Sequence, residues 1–109
     1  MESRDEAAAE LIARGLHAQP WDCYGPGAFA VASEVVDIGD DIRLLRHMVV
    51  VVPVEGGWSI RSEFPSDVEG VSLAQAVSEA AALVSELREF GRPKRYQAEQ
   101  GAAADRPRD

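Results

Sequence analysis

Met48-Val49-Val50-Val51-Val52-Pro53-Val54, then Glu55-Gly56-Gly57, then Trp58-Ser59-Ile60-Arg61-Ser62-Glu63-Phe64 is the stretch whose reading decides the fold. Two apolar runs separated by a glycine pair predict a β-hairpin, because glycine supplies the positive φ that a tight turn requires. In the second run Trp58, Ile60 and Phe64 alternate with Ser59, Arg61 and Glu63. That period of two buries one face and wets the other. The first run differs. Met48, Val50, Val52 and Val54 form one alternating set and Val49 and Val51 the other, and both are apolar. A strand of that kind is buried on both faces.

Toward the C-terminus, Pro65 to Gly70 predicts a loop. A helix follows over Leu73 to Phe90. Ser72 is a favourable N-cap, Gln75 completes a capping box, and Val71 is placed to staple onto Ala76. Leu73, Ala76, Val77, Ala80, Leu83, Val84 and Leu87 recur at helical spacing. Gly91 is the expected C-terminal cap, with Pro93 just beyond it.

Toward the N-terminus, Ile42 extends the central run backward, Gly39-Asp40-Asp41 is a turn, and Ala28 to Ile38 is a further strand. Its Ala28, Ala30 and Ala32 share one face. His17 to Gly27 is expected as a loop, broken by Pro20, Gly25, Pro26 and Gly27. Before it, Arg4 to Leu16 predicts a helix with the Ser3-x-x-Glu6 capping box and an apolar stripe of Ala8, Leu11, Ile12 and Leu16.

The expected fold is therefore α+β in the order α-β-β-β-α: a three-stranded antiparallel meander packed with two helices. Residues 1–91 form the single domain, and 92–109 form a flexible charged tail without apolar periodicity. The doubly apolar central strand adds a condition. With one helix on each face, a monomer suffices. With both helices on one face, the other face calls for a partner, most simply a C2 homodimer.

Charge and composition narrow the function. The chain has 109 residues, 46% of them apolar, enough for one modest core. Residues 1–91 carry six basic and sixteen acidic side chains, while 92–109 carry five basic and three acidic ones. A body of that sign repels phosphate backbones, which disfavours nucleic acid as a partner of the folded domain; the charge serves either solubility or a basic protein partner. No apolar run approaches the ~20 residues of a membrane span. The acidic start, Met1 to Glu6, is unlike a signal peptide, and the lone Cys23 agrees with a reducing compartment, so a cytoplasmic location is expected.

Catalytic equipment is sparse. Cys23 with His17 or His47, oriented by Asp22, has the residue types of a thiol nucleophile and its base, yet no spacing enforces their meeting. Two histidines and one cysteine make a metal site improbable on chemical grounds. Asp37, Asp40 and Asp41 lack the calcium-loop pattern, and turn chemistry accounts for them. No phosphate-binding glycine motif is present, and nothing calls for a cofactor. The densest surface candidate is Trp21-Asp22-Cys23-Tyr24. Trp21 and Tyr24 have the character of interface anchors or of pins holding the loop to the core. Trp21, Cys23, Tyr24 and His47 are the candidate binding residues.

Residues 49–93 resemble the sheet-and-helix unit of HicB-type antitoxins. The resemblance runs through Val49 to Ile60 with its Gly57-Trp58 turn, then Phe64-Pro65-Ser66-Asp67-Val68-Glu69-Gly70-Val71, then Leu73-Ala74-Gln75-Ala76-Val77. It implies a small oligomeric protein that neutralises a partner by binding it. The Gly-Asp-Thr step before the helix and the family's C-terminal DNA-binding module are missing, and an N-terminal helix is added. The functional expectation is a non-catalytic protein-binding module, immunity-, antitoxin- or adaptor-like. The alternatives are a small-ligand protein or enzyme with a pocket near Cys23, and a structural homodimeric subunit of a larger assembly.

Overall fold

A computed structural model describes residues 1, 3–64 and 66–93. Residues 94–109, most of the expected tail, lie outside the described residues. The fold is α+β, with two α-helices and mostly antiparallel strands: α1 (Arg4–Ala13), β1 (His17–Pro20), β2 (Phe29–Ala32), β3 (Glu34–Gly39), β4 (Ile42–Arg46), β5 (Val49–Val54), β6 (Gly57–Arg61) and α2 (Leu73–Phe90). A 3₁₀ turn, Asp22–Tyr24, sits between β1 and β2.

Among the described residues, the three-stranded meander is thus replaced by six strands in two sheets. One sheet has the order β1-β2-β5-β6 and the other is the β3-β4 pair. Two causes account for the difference. First, His17–Pro20 pairs antiparallel with Phe29–Ala32 as an edge strand. Its end at Pro20 is tolerated because an edge strand need not donate on its open side. Second, each long strand is interrupted. Val31 faces Val49 in one sheet and Glu34 faces Arg46 in the other, so Ser33 and His47 fall between them in one continuous register. His47 adopts φ +55° there, outside the extended region. The ladder breaks at that residue, and the outer half of the hairpin becomes a separate two-stranded ribbon.

The helix caps follow the local sequence. Ser3 Oγ accepts from the Glu6 N–H at 3.2 Å, and Ser72 Oγ accepts from the Gln75 N–H at 3.1 Å. Gly91 closes α2 with φ +75°, its N–H bonded to the Leu87 carbonyl. Helix α1 stops three residues early, at Ala13, and its buried residues are Ala7 and Leu11; Ile12 faces solvent. Val71 packs against the core cluster, and its backbone pairs with that of Trp58, closing the β6 edge.

Both helices lie on the same face of the four-stranded sheet. Ala7 and Leu11 of α1 and Leu73, Ala76, Val77, Ala80, Ala81, Val84 and Leu87 of α2 pack with Phe29, Val31, Val49, Val51 and Ile60. The Phe29 and Trp58 rings meet at 6.0 Å with a 59° tilt. The second face holds a smaller cluster, Ala28, Val50 and Val52, joined by Trp21, Met48 and Val54. The doubly apolar reading of the central strand holds in this arrangement, one alternating set in each cluster.

Candidate functional site

The β3-β4 ribbon is where the apolar sequence and the fold part company. Its turn, Asp40-Asp41, has φ +52° and +60°, the positive pair a two-residue type I′ hairpin turn requires. The Asp37 carboxylate accepts the Gly39 N–H at 2.9 Å, holding the bulge that precedes the turn. Asp37, Asp40 and Asp41 thus serve turn geometry, and among the described residues no His, Cys, Asp and Glu group is placed to hold a metal ion.

Cross-strand partners share a face. Glu34 opposes Arg46 and the two form an ion pair at 2.9 Å; Val36 opposes Leu44 on the same face. Ile42 follows two residues from Leu44, and Ile38 stands at the bulge beside it. Ile38 is 59%, Ile42 55% and Leu44 51% exposed. The arm therefore presents an apolar stripe, bounded at its base by the Glu34–Arg46 pair and at its tip by two aspartates. A two-stranded hairpin is marginally stable in water by itself.

The base of the arm is built by Ser33 and His47. The Ser33 N–H donates to the Arg46 carbonyl at 2.9 Å, and its hydroxyl lies 3.1 Å from that carbonyl and 2.6 Å from His47 Nδ1. His47 is thus a half-buried hinge residue with its ring tied to Ser33. His17 lies near the same end of β2, opposite Ala32, its Nε2 2.8 Å from Gln19 Oε1.

The other candidates sit at the opposite end of β2. Trp21 donates its backbone N–H to the Ala28 carbonyl at 2.9 Å and packs its ring on the second-face cluster. Cys23 is exposed on the 3₁₀ turn, and Tyr24 is 57% exposed beside it. From Ala28 to Ser33 the strand rises about 17 Å, so the fold holds Cys23 well apart from His47. Asp22 pairs with Arg4 of α1 at 3.1 Å, and the same guanidinium reaches the Ala28 carbonyl at 3.3 Å. The structure brings Trp21, Cys23 and Tyr24 together and leaves His47 with the arm.

A polar cluster closes the β6 side of the second face. Register places Arg61 opposite Val50 and Ser59 opposite Val52. Ser59, fully buried, has its hydroxyl 2.7 Å from both the Val68 carbonyl and the Glu69 carboxylate. Arg61 donates to Ser59 Oγ and to Glu69, the latter at 3.2 Å. The hydrogen bond from Ser59, then that from Arg61, holds the Glu69 pKa below the ordinary carboxylate value.

The arm residues Ile38, Ile42 and Leu44 escape sequence reasoning because an apolar strand residue looks the same whether it is covered or bare. The available signal was the charge interspersed among them: Glu34, Asp37, Arg43 and Arg46 fall within this half of the hairpin, whereas Val49 to Val54 carries none. A depression on the outer side of α2, lined by Ser85, Arg88 and Glu89, is open and shallow. No helix among the described residues is long and apolar enough to cross a membrane. No family model, curated protein or solved structure matches the chain.

Proposed function

We propose that this chain is a small non-catalytic binding module that works through protein contacts, in the manner of an immunity protein, antitoxin or adaptor. The observation that supports this reading is the projecting β3-β4 arm, with Ile38, Ile42 and Leu44 more than half exposed. Burying about three such side chains is worth several kcal/mol, which the isolated chain forgoes. The acidic turn at the arm's tip adds a charge that attracts a basic surface. Tyr24 and the 3₁₀ turn offer a second, smaller contact patch.

The test is capture from the native host at low and high salt, with the wild-type chain beside an Ile42→Thr/Leu44→Thr variant. Threonine is β-branched and favours a strand while removing apolar area. Loss of capture in the variant is expected. Equal capture by both chains would refute the arm as the contact surface.

A further inference from the structure

We propose that the β3-β4 arm is a hinged unit that opens and recloses separately from the rest of the fold. The Ser33–His47 hydrogen bond is the latch that holds its bend against the four-stranded sheet. This goes beyond the protein-binding reading and does not depend on it.

Three observations combine. The first is a step in burial. Every residue of β2 is buried, as are Val49 to Val52 of β5, whereas no residue of β3 or β4 is buried. On one strand the step is taken across Ser33, between Ala32 and Glu34. On the other it is taken across Met48 and His47, between Val49 and Arg46. A segment with few buried apolar contacts opens at low cost compared with the core of its fold.

The second is isolation. The strands of the arm pair with each other and with no other strand of the described residues. Nor does a helix or another strand there pack extensively on either of them. The Glu34–Arg46 pair lies within the arm and is half exposed, so it adds little. A ribbon held so sparsely breaks its ladder as one unit while the core sheet stays closed.

The third is the base. His47 sits in the left-handed region with φ +55°, which strains a residue that carries a Cβ. Such strain persists where neighbouring contacts offset it. Ser33 supplies the contact: its hydroxyl lies 2.6 Å from His47 Nδ1 and 3.1 Å from the Arg46 carbonyl. One side chain thus ties the root of β3 to the root of β4 where the ladder breaks. The direction in which Ile42 and Leu44 are presented is set at these two residues.

Hydrogen–deuterium exchange on the full chain, compared between the arm and β2 with β5, tests this. In wild type the arm amides should exchange together, at least about tenfold faster than those of β2 and β5. Ser33→Ala should speed exchange of the arm about fivefold, the worth of one lost hydrogen bond, with β2 and β5 unchanged. Ser33→Thr keeps the hydroxyl and should hold the wild-type rate.

Arm and core amides that exchange at one rate in wild type overturn the proposal, with no variant needed. A Ser33→Ala chain whose arm keeps the wild-type rate overturns the latch. So does one in which β2 and β5 accelerate as much as the arm, since Ser33 then supports the whole fold.

Discussion

Replacing Trp21 with alanine should destabilise the domain far more than replacing Tyr24, although the two lie three residues apart on the same loop. Trp21 is half-buried against Ala28, Val50 and Val52, with its backbone bonded to Ala28. Tyr24 is 57% exposed. Truncating a fully buried tryptophan costs about 3–5 kcal/mol. Half burial brings Trp21→Ala to roughly 2 kcal/mol by the same scale. For a domain of this size that is a fall in Tm of about 10 °C. An exposed surface residue such as Tyr24 stays within about 0.5 kcal/mol, or roughly 3 °C. Melting followed by circular dichroism at 222 nm reads both variants without relying on the fluorophore removed. A Trp21→Phe variant should recover most of the loss, because an aromatic ring again covers the valines. A Tm for Trp21→Ala within a few degrees of wild type would refute the reasoning, and would return Trp21 to the exposed surface as a contact residue.

Gly57→Ala should lower stability by about 2–3 kcal/mol in urea denaturation. Gly57 has φ +153°, and a Cβ there would overlap the Gly70–Val71 backbone, 2.8 Å from the Gly70 carbonyl carbon. His47→Val should cost about 1–2 kcal/mol because a β-branched residue resists φ +55°. His47→Gly should stay near neutral in the same assay, trading relief of that strain against the lost Ser33 contact. The lowered pKa of Glu69 fixes a sign for acid. Its contribution is fully present above the unfolded-chain value of about 4.3, and it is lost as pH falls through the lower folded-state value. Stability measured between neutral pH and pH about 2 should therefore drop more steeply for wild type than for Glu69→Gln; parallel curves would refute the role assigned to the Ser59–Arg61–Glu69 cluster. Cys23→Ser should leave Tm unchanged, since the thiol is exposed on the 3₁₀ turn.

Helix α2 was legible from Ser72 to Gly91, because its caps and its apolar period are local properties of the chain. The same holds for the Glu55-Gly56-Gly57 turn, for the Asp40-Asp41 turn, and for the double apolar pattern of Val49 to Val54. Each depends on backbone preference or on side-chain alternation within a few residues. Helix α1 was legible at its start, where Ser3 caps it, and less so at its end. The tertiary structure selected Ala7 over Ile12 as the buried position, through contact with α2 and the sheet.

What the chain alone could not determine was every feature set by distant partners. His17 to Pro20 has weak strand preference and becomes a strand only because β2 offers it an edge. Ser33 and His47 look like ordinary strand residues, yet together they break one hairpin into two sheets. The side of the sheet taken by each helix, and the exposure of Ile38, Ile42 and Leu44, follow from the same long-range packing. Local sequence determines which segments are helix or strand and which residues are apolar. Only the tertiary structure decides which apolar residues are covered, because burial depends on neighbours brought together from elsewhere in the chain.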